Sequence, residues 1–115
     1  MRNLDLAWER ARVLRDWKKW LSRLKKAANE VLNSNLVGLY VFGSVVTGNL
    51  VAASDIDLLI VTKGLPKSTI ARSEIKEDIV DRAGLPLVHP FEIHLVDGEE
   101  AEVYFKRIGK DFIKL

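Results

Sequence analysis

The chain is predicted to fold as an α/β (α+β) sandwich: a small mixed sheet of three to four strands packed with helices, one of them long and N-terminal. Three observations carry that expectation. Apolar residues recur in steps of three and four between residues 13 and 32, the spacing that lines one face of a helix. Two continuous apolar runs, 36–42 and 55–62, read as strands covered on both faces. The patterns follow the order helix, strand, strand, helix, strand, helix, which places helices against a sheet. A length of 115 residues suits one domain with one core, and 48% hydrophobic with 30% charged residues is a soluble globular balance.

Residues 5–33 form the first element, one long helix broken at most once. Its stripe is Val13, Leu14, Trp17, Trp20, Leu21, Leu24, Ala28, Val31 and Leu32, and it stops at Asn33, Ser34 and Asn35. Trp17 and Trp20 are expected to fill the core as large apolar bodies. Trp8 has two readings, a structural one and an anchor for a partner or second subunit. Leu36–Phe42 is the first strand, and 55–62 the second, led by Asp55 and Asp57. Lys67 to Ala83 is a helix with Ile70, Ile75, Ile79, Val80 and Ala83 on one side, stopped by Gly84 and Pro86. Residues 91–96 alternate, with Phe91, Ile93 and Leu95 facing one way and Glu92, His94 and Val96 the other. Asp97 and Glu100 make an N-cap pattern for a last helix to about Ile108, and 111–115 add a short edge strand.

Composition removes several classes of protein. With no cysteine there is no disulfide framework or thiolate metal site, which agrees with a reducing cytoplasm. Charges occupy the start of the chain where a signal peptide has its apolar region. No apolar run approaches the ~18 residues that span a bilayer, so a membrane role is not expected. Charge is uneven. Residues 1–33 hold nine Lys or Arg against four Asp or Glu, whereas the rest hold nine against twelve. The basic segment reads as a solvated helix face or as a surface for nucleic acid or an acidic partner.

The chemistry concentrates in residues 43–57. Gly43-Ser44 follows the first apolar run, ten residues intervene, and Asp55-Ile56-Asp57 opens the second. On a strand Asp55 and Asp57 share a face. Two such carboxylates repel unless a cation sits between them, and hard divalent cations such as Mg²⁺ prefer these oxygens together with phosphate. A Gly-Ser turn brings backbone N–H groups toward phosphates. Glu92 is out of place in a strand unless it is paired, and it supplies a third carboxylate. His94 shares its face, as a hydrogen-bonded strand histidine or at the rim of a site. With two histidines and no cysteine, a zinc site is not expected.

Gly43-Ser44, the ten-residue spacer, Ser54, Asp55-Ile56-Asp57 and Leu58–Val61 together resemble the signature of minimal nucleotidyltransferases of the DNA polymerase beta-like superfamily. The likeness is strong over 36–62 and fair over 63–97, and it does not specify the N-terminal helix. It implies a single nucleotidyltransferase domain over 1–115, with a basic helix (1–33), a catalytic core (36–97) and a C-terminal helix and tail (98–115). By that resemblance Asp55, Asp57 and Glu92 coordinate two Mg²⁺ ions and are catalytic, with Glu92 able to accept a proton from the attacking hydroxyl. Gly43, Ser44 and Ser54 bind nucleotide. Many relatives carry basic residues after Gly-Ser, where this chain has Val45, Val46 and Thr47. That difference implies a lower nucleotide affinity or leaves the job to a basic residue of a partner.

The expected activity is transfer of a nucleoside monophosphate, AMP from ATP, onto a hydroxyl. The resemblance extends to the antitoxin half of two-gene systems, whose partner is a helical HEPN-type ribonuclease toxin adenylylated on tyrosine. A cytoplasmic protein adenylyltransferase acting as antitoxin is therefore the leading expectation, with its cleft completed by the toxin or by a second copy of the chain. The alternative is a non-catalytic NTP-binding or interaction module that neutralises its partner by binding. Transfer to RNA is a third and weaker reading.

Overall fold

The computed structural model describes residues 3–48, 51 and 54–115, and it divides the long helical stripe into two helices, α1 (Asn3–Arg15) and α2 (Trp17–Leu32). The break falls at Asp16, whose φ of −101° and ψ of 30° leave helical geometry and whose side chain caps nothing. The backbone stays tied across it: Asp16 N–H donates to the Arg12 carbonyl at 3.2 Å, and Asp16 O accepts from Lys19 N–H at 3.0 Å and Trp20 N–H at 3.2 Å. A turn at Asn33–Asn35 then leads into β1 (Leu36–Phe42). A four-residue helix, α3 (Ser44–Thr47), absent from the sequence-based expectation, precedes β2 (Ile56–Thr62). There follow α4 (Thr69–Ala83), β3 (Phe91–Val96), α5 (Gly98–Ile108) and β4 (Phe112–Lys114).

The four strands lie in the order β3-β2-β1-β4. β1 runs antiparallel to β2 and to β4, and β2 runs parallel to β3 through the α4 crossover, so the sheet is mixed as expected. β2 is central and almost entirely buried, which accounts for its unbroken run of apolar residues. Side chains of opposite parity serve two cores. Leu39, Val41, Ile56, Leu58, Ile60, Phe91 and Leu95 pack with Val13, Leu14, Leu21, Leu24, Ala28, Ile79 and Ala83 from α1, α2 and α4. On the other face Leu59, Val61 and Val96 pack with Ala101, and Tyr40, Phe42, Tyr104 and Phe105 close around them. Tyr40 meets Phe105 edge to face at 4.9 Å, a favoured aromatic geometry.

Some expected core positions lie elsewhere. Trp17 and Trp20 border the helical core while staying partly exposed, and the Arg23 guanidinium covers the Trp20 ring at 4.9 Å. Trp8 is 62% exposed. Ile70 is exposed too, because it sits in the first turn of α4, before that helix crosses the sheet. The helix ends follow local chemistry. Ser68 Oγ accepts from Ala71 N–H to start α4, and Gly84 stops it at a φ of 74°. Asp97 and Glu100 exchange the two bonds of a capping box at the start of α5. Among the described residues no helix is long and apolar enough to cross a membrane.

Candidate active site

Asp57 and Glu92 are register partners on the parallel strands β2 and β3. The bond from Ile56 N–H to the Pro90 carbonyl, 2.8 Å, fixes that register at the open end of the sheet. Both side chains belong to the parity that faces α5, as does His94 two residues further on. His94 Nε2 lies 3.2 Å from Asp57 Oδ1 and 3.9 Å from Glu92 Oε1. Its other nitrogen, Nδ1, lies 3.1 Å from the Tyr104 hydroxyl of α5. One donor atom from each of Asp57, Glu92 and His94 falls within 4.8 Å of the others. Donors on one octahedral ion with bonds of about 2.1 Å sit about 3.0 Å apart as neighbours and about 4.2 Å apart as opposites. The two distances from His94 Nε2, 3.2 and 3.9 Å, fall within that range, and two carboxylates with an imidazole are donors a divalent cation can take.

Gly43 ends β1 against this group. Its φ of 87° and ψ of −154° fall in a region that only glycine occupies readily, and a Cβ there would collide with Asp57 Oδ2. Main chain and carboxylate are thus packed directly on each other. Ser44 opens α3, where Val46 and Thr47 N–H donate to the Gly43 carbonyl at 3.0 and 3.2 Å. Val45 and Val46 turn inward and pack on the main core, so their apolar character is set by packing.

Asp55 is placed differently from Asp57. The sequence puts both on one strand face, but β2 begins at Ile56, so the alternation of a strand does not govern Asp55. Its carboxylate is exposed and accepts from Arg10 Nη2 of α1 at 3.0 Å. The same Nη2 donates to the Ser54 carbonyl at 2.7 Å. Ser54 is buried, and its Oγ accepts from Val51 N–H at 2.9 Å. Of the residues between Ser44 and Asp55, 49, 50, 52 and 53 lie outside the described residues. The structure thus brings Asp57, Glu92 and Gly43 together and adds His94, while Arg10 holds Asp55 and Ser54, and Asp55 is not one of the clustered donors.

His89 stands just before β3 and accepts at Nδ1 from Phe91 N–H. Burial, seconded by the nearby Arg10 charge, holds its pKa below the ordinary 6.5. Sequence reasoning missed Arg10 and Tyr104, whose roles come from how α1 and α5 pack. For His94 the signal was its shared parity with Glu92.

A family model described as a nucleotidyltransferase domain matches residues 21–111. The chain belongs to the nucleotidyltransferase domain family. One relative is a candidate protein adenylyltransferase of Methanocaldococcus jannaschii, 35% identical over 60 residues that make up 52% of this chain and 41% of the relative. Another is spectinomycin 9-adenylyltransferase of Staphylococcus aureus, 32% identical over 93 residues, 76% of this chain and 35% of that protein. The nucleotidyltransferase chain thus spans about two fifths or less of the length of these curated relatives. In fold it resembles a chain from the crystal structure of a toxin–antitoxin pair with AMP-PNP. That match has a TM-score of 0.56 and 21% identity, and it covers 81% of this chain and 69% of the other.

Proposed function

We propose that this domain transfers AMP from ATP to a hydroxyl of a protein partner, a tyrosine of a HEPN-type toxin, and so acts as its antitoxin. The observation that carries the reading is the placement of Asp57 opposite Glu92 with the Gly43 main chain packed on Asp57. Both curated relatives are adenylyltransferases by name, one of them acting on protein, and the fold recurs in a toxin–antitoxin pair.

Asp57, Glu92 and His94 would hold one divalent cation, and Asp55 with Asp57 a second. Mg²⁺ bound there would polarise the phosphoryl oxygens and offset charge on both attacking and leaving oxygens. The residues themselves do the rest. Gly43, which has no side chain, would let the main chain of the Gly43-Ser44 turn approach the triphosphate. The half-exposed Glu92 lies where an incoming hydroxyl can reach it, with its side chain 57% accessible. The hydroxyl oxygen bonds to the α-phosphorus, its proton passes to Glu92, the bond from α-phosphorus to the bridging oxygen breaks, and pyrophosphate leaves. Positioning and electrostatics suffice for such a displacement, with no covalent intermediate on the protein. The test is incubation with the product of the neighbouring gene, ATP and Mg²⁺, followed by mass spectrometry. An AMP adduct on a partner tyrosine is expected, and an unmodified partner overturns the reading.

A second reading is a module that neutralises its partner by binding alone. The observation favouring it is that Val45 and Val46 face the core, so the turn after Gly43-Ser44 lacks the basic side chains many relatives place there.

A further inference from the structure

We infer that His94 is itself a metal ligand, held for that task by Tyr104, and that it makes this site prefer Mn²⁺ to Mg²⁺. The inference rests on the metal-site reading above and deepens it by naming the ion. Three observations support it. His94 Nε2 is as close to Asp57 Oδ1, at 3.2 Å, as neighbouring donors on one ion are to each other, and at 3.9 Å from Glu92 Oε1 it stays within the span of a single coordination sphere. The ring is confined: Phe42 lies against it at 5.5 Å and Tyr104 at 5.3 Å, so Nε2 has little freedom to point elsewhere. And Nδ1 is engaged by the Tyr104 hydroxyl, the kind of outer partner that orients a ligating histidine.

The choice of tyrosine matters. With no cation bound, Nε2 and Asp57 Oδ1 attract only if Nε2 carries a proton, and in a neutral ring the Tyr104 hydroxyl then donates to a bare Nδ1. With a cation bound, Nε2 must offer its lone pair, so the proton sits on Nδ1 and is donated to the Tyr104 oxygen. A hydroxyl serves both states by rotating its hydrogen, with no heavy atom displaced. For a neutral ring the exchange balances: one proton leaves Nε2 for water and another is taken from water at Nδ1.

Two carboxylates alone suit Mg²⁺ and Mn²⁺ alike, because both ions take oxygen donors. An imidazole changes the balance. Nitrogen ligands favour first-row transition ions, whereas Mg²⁺ keeps oxygen and water. Between Mg²⁺ and Mn²⁺, a site of two carboxylates and one imidazole therefore favours Mn²⁺, while later first-row ions would bind the same donors more tightly still.

The test loads the protein with Mn²⁺ alone and reads it by pulsed electron paramagnetic resonance. A nitrogen coupling of a directly bound imidazole is expected in the wild type and should vanish in His94→Gln. In competition, Mg²⁺ should displace Mn²⁺ from the wild type only at an excess of roughly tenfold or more, and near parity from His94→Gln. Tyr104→Phe should weaken Mn²⁺ by about tenfold while keeping the coupling. Bound Mn²⁺ with no nitrogen coupling in the wild type overturns this inference and leaves the carboxylate site standing. Failure to bind millimolar Mn²⁺ at all overturns both together. Both parts are decided on the wild type even if a variant fails to fold: the spectrum decides whether an imidazole binds the ion, and displacement of Mn²⁺ by Mg²⁺ at parity overturns the preference.

Discussion

Arg10 of α1 and Asp55 at the threshold of β2 are joined by a 3.0 Å ion pair, and the same Arg10 nitrogen also holds the Ser54 carbonyl at 2.7 Å. The N-terminal helix is thereby tied to the segment that carries the candidate chemistry. Asp55 is 61% exposed, so the ion pair itself is worth about 0–1 kcal/mol. The charged bond to a part-buried carbonyl adds about 1 kcal/mol. Arg10→Ala is expected to lower unfolding free energy by about 1–2 kcal/mol, with m unchanged in a urea titration. Amides of α1 should exchange faster, because this tie fastens α1 to the segment before β2. Unaltered exchange over residues 3–15 would show that the tie carries no weight.

Gly43 is the position least able to take a side chain. Gly43→Ala would place a methyl on Asp57 Oδ2 and force alanine into a backbone region that costs about 1–3 kcal/mol. Thermal melting should reveal that loss. Gly48, also at positive φ, offers a control, since a Cβ there meets nothing within 4 Å. Gly48→Ala should cost less than Gly43→Ala and leave divalent-cation binding intact.

Much of this arrangement was legible in the residues, and the parts that were not have identifiable causes. β2 announced itself as a continuous apolar run because it is covered on both faces, whereas β1, which reads the same way, buries only Leu39 and Val41 and leaves Val37 exposed. The alternation in 91–96 correctly grouped Glu92 with His94, since strand parity is local. The sequence allowed one break in the first helix but could not place it at Asp16, because the apolar stripe continues across that residue and no proline or glycine marks it. Asp55 was assigned a strand position it lacks because a one-residue shift at a strand start reverses no pattern. Arg10 and Tyr104 reach the site only through the packing of α1 and α5, and such distant pairings leave no trace in spacing.

His89 gives the fold a pH dependence. Its folded pKa is depressed, first by burial and then by Arg10, so the unfolded chain binds the extra proton more readily. Stability should therefore be fully present above the ordinary value of 6.5 and decline as pH falls below it. Protonation would also cost Nδ1 its bond from Phe91 N–H. His89→Asn, which keeps a side-chain acceptor, should flatten the slope of unfolding free energy between pH 5 and pH 7 relative to wild type. An equal slope in both proteins would assign it to another group.

Glu100 acts at lower pH. Its carboxyl is held below the ordinary 4.5 chiefly by the hydrogen bond from Arg72, 2.9 Å away. A depressed carboxyl stabilises the fold above its unfolded value and stops doing so as pH falls through its folded value. Glu100→Gln should thus be less stable than wild type at neutral pH, with the gap narrowing below about pH 4.5. Asp97→Ala, which removes the other half of the capping box, should cost about 1 kcal/mol across the whole range above that.

Asp57→Asn separates an enzyme from a binding module. Asp57 touches His94 and abuts Gly43, and asparagine keeps its shape while removing its charge. If the domain transfers AMP, the loss of one ligand carboxylate should cut transfer by roughly 10²–10³-fold, the scale on which removing a charge-stabilising group acts. Complex formation with the partner should persist, because that carboxylate is only 23% accessible and is packed against Gly43 and His94. Neutralisation of the partner should then fail although the complex forms. If Asp57→Asn instead neutralises as well as wild type, binding alone is sufficient, and the inward-facing Val45 and Val46 are the residues that mark the chain as a module.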